Sequence, residues 1–173
     1  MVLAIRDLRP SDFTGIVGYY YRFYDERTEN PSFGITLYHE KPSLSDELSW
    51  FSGLYRKMAD GDAIAMVAEI DSHVVGLCEV SGLNPGSDVS HRADLGISVS
   101  KDHRGKGVGT ALIQETLQRC RGKFEIIELS GLTTNQVAKE LYERFGFKTF
   151  GIRHRSVKRG ERYFDEELML LEI

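Results

Sequence analysis

The sequence predicts a mixed α/β (α+β) fold, and three observations carry that prediction. Two apolar runs, Ala63 to Ile70 and Val74 to Val80, flank the turn Asp71-Ser72-His73, which is the pattern of an antiparallel strand pair. A third strand-like run, Asp94 to Val99, passes through a glycine-rich turn at 103–110 into a segment of helical periodicity. Beyond it a strand, a helix and two further strands follow. The predicted order is strand, two helices, three strands, helix, strand, helix, two strands, which is a mixed sheet covered by helices.

Each element has a local reason. Leu3-Ala4-Ile5-Arg6 reads as a short first strand. Pro10-Ser11-Asp12 starts the first helix, because proline suits a first turn and Ser or Asp can cap it. Phe13, Ile16, Val17, Tyr20 and Tyr24 then recur at helical spacing, and the rings of Tyr19 to Tyr24 are too dense for one buried face. With Asp25, Glu26 and Glu29 they form an aromatic, acidic neighbourhood suited to a cationic guest. Pro31, Gly34 and Pro42 mark a loop over 30–42. Ser43-x-x-Asp46 resembles a capping box, and the second helix runs through Trp50, Leu54 and Met58.

After the antiparallel pair, Asn84-Pro85-Gly86-Ser87 is a loop and a strand runs from about His91 to Val99. The helix leaving the glycine turn carries Leu112, Ile113, Thr116, Leu117 and Cys120 on one side and stops near Gly122. Phe124 to Leu129 is a strand. Thr133-x-x-Gln136 predicts a second capping box, ahead of the stripe Val137, Ala138, Leu141, Tyr142 and Phe145. Phe147 to Val157 and Arg162 to Ile173 are the last strands, joined by Lys158-Arg159-Gly160-Glu161.

Composition bounds the function classes. The 173 residues favour one domain, 1–173, with a real core. A net charge of −4 argues against a general nucleic-acid partner. Two cysteines, Cys78 and Cys120, are too few for a disulfide scaffold, and no metal-ligand spacing occurs. No apolar run reaches membrane-spanning length and the first residues lack a signal-peptide pattern, so the expectation is a cytoplasmic protein with no membrane partner and no metal.

The segment His103-Arg104-Gly105-Lys106-Gly107-Val108-Gly109-Thr110 carries the chemistry. Glycines at alternate positions let an anion approach the main chain, and the helix start supplies unpaired N–H groups and a positive dipole end. A phosphate loop of the Walker type needs Ser or Thr after its lysine, and Lys106 is followed by Gly107. A dinucleotide fingerprint fails at Thr110 or at Leu112, depending on its starting glycine.

Arg104-Gly105-Lys106-Gly107-Val108-Gly109 resembles the pyrophosphate motif of the Gcn5-related N-acetyltransferase (GNAT) superfamily. Asn135-x-x-Ala138-x-x-Leu141-Tyr142-Glu143-x-x-Gly146-Phe147 is similar to its second signature. The resemblance extends over the whole element order. It implies the GNAT fold, a mixed sheet of about six or seven strands flanked by about four helices. It also implies acetyl-coenzyme A as cosubstrate, without a metal, and direct attack by an amine within a ternary complex. The acceptor would be a primary amine of a small molecule such as an amino acid or polyamine. The alternatives are a protein N-terminus or lysine, or a non-catalytic acetyl-coenzyme A sensor. A homodimer is a frequent habit of the superfamily.

By the same resemblance, backbone amides from Arg104, Gly105, Lys106, Gly107, Val108, Gly109 and Thr110 would hold the pyrophosphate. Ile97, Ser98 and Val99 would pair with the pantetheine arm on a strand splayed by a bulge, for which Gly96 is suited. Asn135 would hydrogen-bond that arm, and Tyr142 would protonate the departing sulfur. A lysine-like amine has a pKa of ~10.4, so neutralising it at pH 7 costs roughly 4–5 kcal/mol and calls for a base. Asp94 is the first candidate, Glu79 the second and His91 a weaker third. Cys78 and Cys120 lie in apolar runs and read as buried small hydrophobes. The hairpin bearing Arg153, His154, Arg155, Lys158, Arg159 and Arg162 reads as a solvated basic face, with a minor role in anion binding open to it.

Overall fold

A computed structural model describes residues 2–173. Seven strands form one sheet in the order β1-β2-β3-β4-β5-β7-β6: β1 (Leu3–Asp7), β2 (Ala63–Ile70), β3 (His73–Gly82), β4 (Arg92–Val99), β5 (Ile126–Leu132), β6 (Lys148–Arg159) and β7 (Arg162–Glu172). Neighbours are antiparallel except β4 and β5, which run parallel. Four helices accompany it: α1 (Phe13–Glu29), α2 (Leu44–Ala59), α3 (Val108–Cys120) and α4 (Gln136–Arg144). The predicted element order is the observed one.

The sheet buries both faces, so β2 reads as a near-continuous apolar run rather than an alternation. Ala63, Ala65 and Val67 face one core with Ile16, Tyr19, Phe23, Phe51 and Leu54 from α1 and α2. Met66, Ala68 and Ile70 face the other with Leu112, Ile113, Leu117 and Cys120 from α3. This alternation is the period-two geometry of a strand.

Three local readings need correction. Pro10–Asp12 is a separate 3₁₀ turn, and Asp12 caps no helix with its side chain. Its carboxylate instead takes both arms of Arg6, at 2.8 Å each, and the amide of Arg9 at 2.7 Å. The buried stripe of α1 is Ile16, Tyr19, Phe23 and Glu26, not the Tyr20 and Tyr24 line, because Phe23 and Tyr19 point at the sheet. On α2 the capping box at Ser43 and Asp46 forms, but the buried line is Glu47, Phe51 and Leu54, and Trp50 is exposed.

The decisive feature lies mid-sheet. β4 and β5 pair only through Arg92, Ala93 and Asp94 against Ile126, Ile127 and Glu128. Beyond that point β5 stays with β7 through Leu132, and β4 stays with β3 through Val99. The two strands part, leaving residues 95–99 of β4 without a partner strand on that edge among the described residues. The β3–β4 register is unbroken past Gly96, so the expected bulge is absent there; the splay comes from β5 leaving with β7.

Candidate active site

The glycine turn stands at the end of the parted strand. Residues 101–103 form a 3₁₀ turn, and α3 begins at Val108, inside the glycine motif. Gly107 is therefore the N-cap, at φ 82°, a left-handed conformation that favours glycine. Val108, Gly109 and Thr110 form the first helical turn, whose amides have no intrahelical acceptor. A Cβ placed on Gly105 or Gly107 would meet nothing within 4 Å, so open space lies over this backbone. Together with the unpaired edge of β4, that fits an extended ligand ending in a pyrophosphate.

The second motif joins the first through packing. A Cβ on Gly109 would lie 3.2 Å from Leu141 Cδ2, so α4 sits directly on the start of α3. Tyr142, next on α4, packs against the core with its ring edge-on to Phe147, 6.0 Å between centroids, and beside Gly131 of β5. Burial pushes its hydroxyl up to about 12, so it stays protonated across the physiological range. Asn135 is the N-cap of α4, accepting from the Ala138 amide at 3.3 Å, which replaces the capping box expected at Thr133. Thr133 instead accepts, at its backbone oxygen, from Gln136 Nε2 at 2.7 Å. Asn135 also meets the 30–42 loop, since a Cβ on Gly34 would fall 2.1 Å from its Nδ2.

The side chain of Arg104 is directed away from the turn. It forks onto Glu26 at 2.6 and 3.0 Å, donates to Val99 O at 2.8 Å, and lies over the rings of Phe23 and Phe33. Glu29 pairs with Lys101 at 3.0 Å. The acidic end of α1 is thus spent on anchoring the turn rather than on a cationic guest.

A cavity of about 1080 Å³ opens on the other side of β4. Gly96, Ile97 and Ser98 of β4, Leu77 and Glu79 of β3, Tyr19 and Tyr20 of α1, and Glu47 and Trp50 of α2 line it, with Ile35, Thr36 and residues 38–43 as its outer wall. Tyr19 Oη and Ser98 Oγ share a hydrogen bond of 3.0 Å that fixes the end of β4 against α1. Glu79 stands opposite Gly96, whose missing side chain leaves its carboxylate room. Burial raises Glu79 from 4.5 to about 6, against the opposing charge of Lys57.

Asp94 and His91 do not line this cavity. Asp94 is exposed at the last position where β4 pairs with β5, opposite Ser81 and beside Glu128. Its carboxyl is raised by partial desolvation and by Glu128, against the pull of Arg92. Cys78 and Cys120 are fully buried and pushed up to about 12, so neither offers a thiolate. The basic hairpin is largely paired within the molecule: Arg153 with Glu166, His154 with Asp165, and Arg155 over Tyr163. Arg159 donates to the carbonyls of Pro31, Phe33 and Ile35 at 2.7–2.8 Å, pinning the cavity's outer loop.

Sequence reasoning missed Glu47 and residues 35–43. The signal for Glu47 was present: a carboxylate on the buried line Glu47, Phe51, Leu54. Among the described residues no cluster of three or more His, Cys, Asp or Glu could hold a metal ion, and no helix is long and apolar enough to cross a membrane.

Residues 18–147 match the model of the acetyltransferase (GNAT) family. The chain is 24% identical over its whole length to an L-methionine sulfoximine/L-methionine sulfone acetyltransferase of Pseudomonas paraeruginosa, covering 96% of that protein. It is 31% identical over 116 residues to the L-amino acid N-acetyltransferase AaaT of Escherichia coli, covering 65% of this chain and 71% of that one. Among solved structures, a phosphinothricin acetyltransferase of Sinorhizobium meliloti in complex with acetyl-coenzyme A superposes with a TM-score of 0.82 at 23% identity, over 100% of this chain and 89% of that one. With the parted sheet, the glycine turn and α4 assembled as described, the chain belongs to the GNAT family of acetyl-coenzyme A-dependent N-acetyltransferases.

Proposed function

We propose that this enzyme acetylates a primary amine of a small molecule that enters through the cavity, with Glu79 as the base and Tyr142 as the donor to the leaving sulfur. The observation that carries the reading is the position of Glu79. It is the half-buried carboxylate that lines the cavity beside the parted strand, opposite Gly96. The cosubstrate supplies an acetyl group activated as a thioester. The amides of 105–110 would hold its pyrophosphate, and the free edge of Ile97 to Val99 would take its arm, where a main-chain N–H polarises the carbonyl. Arg104 contributes by holding the turn in place through Glu26 and Val99. Asp94 is the alternative base, acting through a water, and stands outside the cavity lining.

The proton balance is consistent with these roles. Raising Glu79 from 4.5 to about 6 narrows the gap to an amine of ~10.4 by about 2 kcal/mol. Tyr142 at about 12 is a weaker acid than a thiol of ~8.5, so full transfer to a thiolate would cost about 5 kcal/mol. Its useful act is a hydrogen bond to charge developing on sulfur, worth about 1.5–3 kcal/mol. Tyr142→Phe is accordingly expected to lower kcat roughly 10- to 100-fold with little change in acetyl-coenzyme A affinity, measured by thiol release and calorimetry. An unchanged kcat would remove Tyr142 from the mechanism.

Gly107→Ala tests the turn. A side chain at φ 82° costs about 1–2 kcal/mol, and its Cβ stands in the space left for the pyrophosphate. The KM for acetyl-coenzyme A should rise at least about tenfold, by analogy with a lost charge-assisted hydrogen bond, while acceptor KM changes less. Equal rises in both would argue for general disruption instead.

A further inference from the structure

We infer that the acceptor carries a second cationic group and that Glu47 is the residue that reads it. This rests on entry of the acceptor through the cavity, as proposed above, and deepens that reading.

Four acidic side chains are buried in the described structure: Asp12, Glu26, Glu47 and Glu167. Three have cationic partners: Asp12 has Arg6, Glu26 has Arg104, and Glu167 has Lys139. Glu47 is 7% exposed, lines the cavity, and has no hydrogen-bond donor or ion-pair partner for its carboxylate among the described residues. Its oxygens are not among the sealed polar atoms and reach the cavity space, so a cation entering the cavity would meet a partly desolvated carboxylate that no cation of the chain already neutralises. Desolvation raises its pKa, the state that an incoming cation would reverse.

The surroundings select the sign of the guest. Tyr20, Tyr38 and Trp50 line the same cavity, and aromatic rings attract an ammonium group. Asp46, one residue away, is already satisfied by the Ser43 amide and hydroxyl at 3.1 and 2.7 Å. The lysine on the cavity wall, Lys41, lies 4.9 Å from the Tyr21 ring centroid. Glu79 takes the reacting amine, which leaves Glu47 for the distal charge. An α-amino acid would bring its carboxylate, one carbon from the reacting amine, toward Glu79, whereas a diamine offers a cation to each acid.

The test compares acceptors that differ only in the distal charge. With acetyl-coenzyme A, putrescine and cadaverine should show kcat/KM at least about tenfold above n-butylamine and n-pentylamine, as a charged hydrogen bond dictates. In Glu47→Gln this ratio should collapse toward one, mainly through the diamine KM, and Glu47→Asp should restore part of it. The wild-type ratio needs no variant, and Glu47→Gln removes an unpaired buried charge, so it should melt no lower than wild type. Preference for monoamines or L-amino acids, or a ratio indifferent to Glu47→Gln, would overturn the inference while leaving acetyl transfer intact. If no amine releases thiol, the acetyl-transfer reading fails, and calorimetry with cadaverine decides the inference separately. Binding weakened tenfold or more by Glu47→Gln supports it, and absence of binding to wild type overturns it.

Discussion

Glu79→Gln is expected to lower kcat/KM at pH 7 by roughly 10²- to 10³-fold, the scale of a lost general base. The pH dependence should identify the cause. In the wild type, activity should fall as pH drops through about 6, where a Glu79 acting as base would become protonated and could no longer accept the amine's proton. That limb should vanish in the variant. The deficit should shrink as pH approaches the amine's own pKa of ~10.4, where free amine no longer needs a base. If Asp94→Asn removes the limb and Glu79→Gln leaves it, the base is Asp94.

The same substitution should stabilise the fold. The folded-state value of Glu79, about 6, lies above its ordinary 4.5, so the folded protein binds the proton more tightly than the unfolded chain. Stability therefore declines as pH rises from about 4.5 through about 6, by about 2 kcal/mol once Glu79 is fully ionised. Removing the charge should return on the order of 1 kcal/mol at pH 7, a rise in Tm of about 2–4 °C at this chain length. A variant that is slower yet melts higher separates lost chemistry from lost structure.

Arg104→Ala is expected to destabilise the protein by about 3 kcal/mol, or about 6–12 °C in Tm. The variant leaves Glu26, whose side chain is 9% exposed, as a buried carboxylate without its guanidinium. It also removes the donor to Val99 O and the cation over Phe23 and Phe33. Because the pair acts as one unit, Glu26→Ala combined with Arg104→Ala should cost less than the sum of the two. A variant of full stability with a tenfold higher KM for acetyl-coenzyme A would instead make the Arg104 side chain a direct ligand of the pyrophosphate.

The elements most legible in the sequence were those specified by local rules. The β2–β3 hairpin, the Ser43 capping box and the strand–glycine turn–helix order follow from periodicity, caps and conformational freedom over a few residues. The motif around Arg104 was visible for the same reason, but the direction of its side chain was not. Glu26 lies 78 positions away in sequence and meets Arg104 only when α1 crosses the end of β4. The sequence ranked Asp94 ahead of Glu79, although both sit on strands beside the motif. Register placed Glu79 against Gly96 inside the cavity and Asp94 against Ser81 outside it.

By itself, then, the sequence determined the element order, the family's two motifs and the anion-ready turn, because backbone propensity and turn chemistry act between near neighbours. Only the tertiary structure decided where β4 and β5 part, which acids are paired and which face the cavity. Those outcomes depend on strand partners and on burial against distant helices. Desolvation raises both Glu79 and Glu47, and no local pattern records how much water a side chain will lose.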